Sequence, residues 1–139
     1  MGTAEAKLVL READVRVTTP RVLILGYLLD NFTHPTCDQI YSSLKGENSG
    51  LSLASVYNVT EKLASEKIIN LIVTPDGVKH YDGKTTFHSH FFCNSCEKLY
   101  DVECDSSTIK VSFPGAVIVS HEIMSKGICP SCVKRKTGK

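Results

Sequence analysis

The stretch Ser52-LASVYNVTEKLASEKIINLIVTPDGVKHY-Asp82 changes its period half-way along. Up to Ser65 the apolar residues Leu53, Val56, Tyr57, Leu63 and Ala64 recur at helical spacing, and Ser52 is placed to cap the helix they define. Ser55, Asn58 and Lys62 fall elsewhere on that helix's surface. From Ile68 to Val73 the pattern becomes a β-type apolar run. Pro75-Asp76-Gly77 is a turn, because proline presets one backbone angle and glycine tolerates the other. Val78 to Asp82 then returns as a partner strand. Helices followed by such a hairpin make a winged helix-turn-helix. A small α+β domain that binds no nucleic acid has the same local pattern.

Upstream of this stretch the chain also reads as helices. Thr19-Pro20 is a start signal, a capping hydroxyl followed by proline at the first helical position. The run from Arg21 to Asn31 is apolar nearly all round, so this helix is expected to be central and buried. Thr36-Cys37-Asp38-Gln39 is a capping box that opens a helix through Ile40, Tyr41 and Leu44.

Downstream, two C-x-x-C pairs stand out: Cys93-Asn94-Ser95-Cys96 and Cys129-Pro130-Ser131-Cys132. Each pair folds into a knuckle that aims two thiolates at one point, and two knuckles complete the closed tetrahedron of a structural Zn2+ site. Disulfides, or iron in the same cage, are the rival readings. The first knuckle follows at once on His88-Ser89-His90, a second metal-type motif. Two residues apart on a strand, these histidines share a face. A lone pair of this kind on a strand also serves surface or packing roles. Around these motifs the second half is β-rich. Strands are predicted over Thr86 to Cys93, Leu99 to Val102, and Ala116 to Ile128, the last broken near His121. Asp105 is placed to cap a short helical turn, and Lys134 to Lys139 reads as a frayed basic tail.

The chain has 139 residues, 42% of them hydrophobic, and a net charge of +1. That length allows one domain or two small ones. No apolar run is long enough to span a bilayer, and the N-terminus lacks the apolar segment of a secretion signal. Six cysteines in such a chain point to a reducing, cytoplasmic location, where paired cysteines bind metal more often than they form disulfides. Residues 1–75 carry seven Lys and Arg against eight Asp and Glu, so a nucleic-acid reading cannot rest on bulk positive charge.

Together these residues resemble the ferric uptake regulator (Fur) family of metal-dependent repressors. The resemblance runs through Arg16-Val17-Thr18, Arg21, Thr33-His34-Pro35-Thr36, Ile40-Tyr41, Ser52 to Asn58, His88-Ser89-His90 and both C-x-x-C pairs. It implies an α+β chain: a winged helix-turn-helix DNA-binding domain over 1–82, then a small α/β dimerisation and metal-binding domain over 83–139. It further implies a homodimer that binds operator DNA when its regulatory metal is loaded. The resemblance makes Ser55, Tyr57 and Asn58 the candidate base contacts, with Arg16 and Arg21 on phosphates.

Carried over residue by residue, the resemblance is to the peroxide-sensing (PerR) branch. His34, Asp82, His88, His90 and Asp101 match the regulatory ligands, with aspartates where many iron sensors have glutamates. Three imidazoles and two carboxylates suit Fe2+ or Mn2+. The branch implies that His34 or His88 gains an oxygen atom when peroxide meets the iron-loaded form. The alternative is an iron, manganese or zinc uptake regulator of the same family. A mononuclear metal enzyme is a different class, but no spare acid/base pair is apparent, so the chain is read as a non-enzyme. A zinc-stabilised interaction module would bind no second metal. The chain departs from the family at Thr18-Thr19-Pro20-Arg21, where the family usually has T-P-Q-R, and at Phe87-His88-Ser89-His90, where many iron sensors have H-H-D-H. His121 survives as a ligand of that further site, but two of its partners are gone, so no third site is expected. His80 reads as a wing residue, while Cys37 and Cys104 read as structural, with oxidation the lesser alternative for Cys104.

Overall fold

The computed structural model describes residues 2–83, 89–119 and 121–137. The chain divides into two compact units, Met1–Thr85 and Thr86–Lys139.

The first unit opens with α1 (Gly2–Glu12), a helix that the reading of the sequence did not predict. Its buried residues Gly2, Ala6 and Leu10 lie four apart, a one-sided stripe made largely of small side chains. Smallness is required: a Cβ on Gly2 would sit 2.4 Å from the carbonyl oxygen of Gly26 in the facing helix. That facing helix is α2 (Thr19–Asp30), which buries Val22, Ile24, Leu25, Gly26 and Leu28 as expected of a central helix. Its cap is Thr18 rather than Thr19. Thr18 has the extended backbone a cap needs and accepts from the Arg21 amide at 3.4 Å, while Pro20 falls in the first turn.

Helix α3 (Cys37–Leu44) has both arms of its capping box. The Gln39 amide donates to Thr36 Oγ1 at 3.3 Å, and the Thr36 amide donates to Gln39 Oε1 at 2.9 Å. Helix α4 (Leu53–Ser65) is capped by Ser52, whose Oγ accepts from the Ser55 amide at 3.1 Å. Its buried face is Val56, Val59, Thr60 and Leu63. Tyr57, expected on the core side, is instead 50% exposed, because the buried stripe follows Val56 by three, four and seven residues. Thr60 enters the core because its hydroxyl donates to the Val56 carbonyl at 2.9 Å and meets Cys37 Sγ at 3.3 Å. The hairpin β1 (Asn70–Val73) and β2 (Lys79–Asp82) follows, antiparallel, with Ile72 opposite His80 and Leu71 opposite Tyr81. Its turn relies on Gly77, which adopts φ 84° and donates to the Thr74 carbonyl at 2.8 Å.

The second unit is a three-stranded sheet in the order β4-β3-β5. Strand β3 (Ser89–Cys93) is central, antiparallel to β4 (Leu99–Val102) and parallel to β5 (Met124–Gly127). Residues 84–88, and with them His88 and the start of the predicted Thr86–Cys93 strand, lie outside the described residues. The strand predicted over Ala116–Ile128 shortens to β5. Val117 and Val119 are 88% and 91% exposed, with no ladder partner among the described residues. An apolar β-type run becomes a strand only where another strand completes its hydrogen bonds. Asp105 does cap a short 3-10 turn (Ser106–Thr108), its Oδ1 accepting from the Ser107 amide at 3.0 Å. Residues 134–137 of the predicted frayed basic tail instead belong to α5 (Pro130–Thr137), with proline opening the helix and Lys134, Arg135 and Lys136 in its last turn. Those charges complement the negative end of the helix dipole. Among the described residues no helix is long and apolar enough to cross a membrane.

Candidate metal centres and nucleic-acid interface

The sheet of the second unit assembles the four cysteines. Parallel pairing puts Gly127 beside Cys93, and the Asn94 amide donates to the Gly127 carbonyl at 2.7 Å. The chain leaving β5 therefore delivers Cys129 directly onto the Cys93–Cys96 turn. Cys93, Cys129 and Cys132 are fully buried and Cys96 half-buried. All four sulfurs lie within 4.8 Å of one another, and Cys96 Sγ is 3.8 Å from Cys129 Sγ. A tetrahedral ion with metal–sulfur bonds of about 2.3 Å has an edge of about 3.8 Å, whereas a disulfide would bring the sulfurs to about 2.0 Å. The donor set and its spacing therefore fit Zn2+.

At Cys96 the Lys98 amide favours ionisation, but burial and the neighbouring cysteine sulfurs outweigh it and raise the thiol, whereas the surroundings prepare Cys93 and Cys129 for ionisation. Burial opposes it at Cys93, but amide hydrogen bonds from Cys96, Cys129 and Ser95 outweigh burial and pull the thiol down to about 5. The Tyr100 hydroxyl, followed by the Cys132 amide, lowers Cys129 in the same way. Arg135 Nη2 donates to Cys132 Sγ at 2.8 Å. Cys37 is the opposite case. It is buried against Thr60, and burial raises its thiol, which suits packing rather than redox chemistry. Cys104 is exposed, and all six cysteines are free.

Histidine–aspartate pairs occur in both units. In the first, His34 lies in the loop before α3 and Asp82 ends β2, with His34 Nε2 3.3 Å from Asp82 Oδ2 and both side chains buried. In the second, His90 stands directly opposite Asp101 across the β3–β4 ladder, with His90 Nε2 3.3 Å from Asp101 Oδ1. Direct cross-strand partners share a sheet face, so the register alone aims these groups at each other. Nitrogen and carboxylate oxygen without sulfur is the donor chemistry of Fe2+ and Mn2+. His80, read as a wing residue, does lie on the hairpin strand β2; what that reading did not show is its contact with the loop before α3, where His80 Nδ1 lies 2.7 Å from the His34 carbonyl oxygen. One signal was available: His80 and Asp82, two apart on β2, share a face of the strand. His121 is half-buried.

On α4, Tyr57 and Asn58 are exposed and Ser55 is half-buried, its hydroxyl 2.8 Å from that of Ser52. Arg16 is exposed. Arg21 is half-buried, with Nη1 donating to the Arg16 carbonyl at 2.8 Å.

The family model of the ferric uptake regulators matches residues 12–124. The chain belongs to that family. It is 29% identical over 136 residues to the peroxide operon regulator of Bacillus subtilis, covering 95% of this chain and 94% of that one. Among solved structures it resembles the ferric uptake regulator of Francisella tularensis, solved with iron, at 25% identity and a TM-score of 0.68, covering 85% of this chain and 94% of that one. It also resembles the peroxide-sensing regulator PerR of Streptococcus pyogenes, at 27% identity and a TM-score of 0.52, covering 94% and 92%. The fold is thus the α+β architecture of this family, a DNA-binding domain followed by a dimerisation domain. Fur-family proteins are metal-dependent transcriptional regulators, not enzymes, which bind operator DNA and form dimers.

Proposed function

We propose that this regulator is a repressor that senses hydrogen peroxide through iron-dependent oxidation of a histidine. The observation that carries the reading is the paired chemistry of the two units: His34–Asp82 in one and His90–Asp101 in the other. Similarity to peroxide regulators supports the choice of signal. His34, Asp82, His88, His90 and Asp101 together hold one Fe2+ or Mn2+. Ligands drawn from both units favour one arrangement of the DNA-binding domains, and hence one half-site spacing. Moving that equilibrium from 1:99 to 99:1 takes about 5.5 kcal/mol of differential binding, which several ligands can supply.

Bound iron supplies the redox chemistry that activates peroxide. The His34 or His88 ring gains one oxygen atom, the peroxide O–O bond breaks, and its other oxygen leaves as water. One ligand is thereby compromised, and the metal-dependent grip on DNA is lost. The same site without histidine oxidation would make an uptake regulator of iron, manganese or zinc. Cys93, Cys96, Cys129 and Cys132 hold a structural Zn2+. Helix α4 enters the major groove, with Ser55, Tyr57 and Asn58 toward the bases and Arg16 and Arg21 toward phosphates. The exposed apolar residues Val111, Phe113, Val117, Ile118 and Val119 offer a surface for the second subunit of a homodimer. A regulator of this kind, with reduced thiols and DNA as its target, works in the cytoplasm.

The test is operator binding titrated with Mn2+. His90→Ala should abolish metal-activated binding while keeping one zinc per chain. Unchanged activation by Mn2+ in that variant would refute the regulatory site.

A further inference from the structure

We infer that His80 is a positioning residue of the regulatory site: its imidazole pins the backbone of His34 and so aims the His34 ring at Asp82. The inference rests on the reading of His34 and Asp82 as ligands.

Three consecutive residues of β2 engage one short loop. The His80 Nδ1 meets the His34 carbonyl oxygen at 2.7 Å. A carbonyl only accepts, so Nδ1 carries the proton. The Tyr81 amide donates to the next carbonyl, that of Pro35, at 2.9 Å. Asp82 then meets the His34 ring itself at 3.3 Å. The chain cannot do this with backbone groups alone. Amides along a strand point alternately to its two sides, and the Tyr81 amide already faces the loop. The amide of His80 therefore faces β1, and only its side chain can reach the His34 carbonyl.

The loop needs such a hold. His34 adopts φ 56°, the left-handed region that a residue with a Cβ seldom occupies unless its surroundings enforce it. A ligand held by such a backbone presents its ring in one direction only while the backbone is fixed. Partners that orient ligands in this way commonly matter to metal affinity as much as a tenfold to hundredfold change.

The experiment compares Mn2+ affinity, by competition with a chelating dye, in the full-length protein and in H80A, H80N and H80Q. Zinc content and thermal unfolding of each variant report whether it is folded. The asparagine amide nitrogen can take the place of Nδ1, whereas that of glutamine extends to the place of Nε2. H80A and H80Q should weaken Mn2+ binding by about 10- to 100-fold, and H80N should restore most of it. In the metal-free protein, the His34 amide resonance should shift or broaden in H80A and return in H80N. A role in folding alone would not separate asparagine from glutamine. If a His34→Ala control loses Mn2+ but H80A binds it like the parent, or H80N and H80Q behave alike, the positioning role is overturned. If His34→Ala itself binds Mn2+ like the parent, the ligand assignment falls, and this role falls with it.

Discussion

Burial alone would hold the Cys93 thiol protonated; three amide donors reverse that and prepare a thiolate. The same side chain is one of the few fully buried groups of its unit, whose small core is Cys93, Cys129 and Cys132 packed with Phe91, Cys96, Tyr100 and Ile128. A unit this small, with so little apolar volume inside, needs a staple, and metal binding there is folding free energy. Cys96→Ser should therefore lose zinc and lower the unfolding temperature by more than about 10 °C, given about 4–8 °C per kcal/mol in a domain of this size. Metal analysis with calorimetry checks this; full zinc and an unchanged transition would remove the assignment. The four cysteines were legible in the sequence because spacing alone specifies a closed sulfur site. His34 and Asp82 were legible only through family resemblance, since forty-odd intervening residues hide their proximity. His80 was hidden further, because its partner is a backbone carbonyl, which no side-chain pattern records.

Helix α4 illustrates what periodicity can and cannot decide. The cap at Ser52 and the existence of the helix followed from residue types, but the placement of Tyr57 did not, because tyrosine fits a core or a surface equally well. Its exposure beside Asn58 strengthens the case for this face as the reader of DNA. Asn58→Ala should cost about 1–3 kcal/mol of discrimination between operator and mutated operator. Arg16→Ala should weaken both about equally and reduce the salt slope by about one. Metal-loaded binding isotherms at several salt concentrations separate these effects; if neither changes, α4 does not read the operator. Two helices escaped the sequence reading for opposite reasons. The buried stripe of α1 includes Gly2 and Ala6, which carry little hydrophobic signal, yet their smallness is what allows α1 to meet α2 at Gly26. The charges of α5 looked like a tail, although Pro130 had marked its start. The run at 116–119 failed as a strand because strand formation depends on a partner that local sequence does not specify.

For the complete chain, net charge of +1 gives no electrostatic reason to bind DNA without a signal. In the proposed function that reason is the regulatory metal. In the proposed mechanism peroxide destroys this control by oxidising a ligand rather than by stripping the zinc or linking cysteines. The proposal makes the outcome depend on which metal is bound, because manganese does not readily perform the one-electron chemistry that iron does. The most direct measurement is peptide mass spectrometry after brief exposure of the iron-loaded and manganese-loaded protein to hydrogen peroxide, with operator binding followed in the same samples. One oxygen should be added at His34 or His88 in the iron-loaded form alone, together with loss of operator binding. Unmodified histidines, with DNA binding that follows only the metal concentration, would contradict this mechanism and leave an uptake regulator in its place.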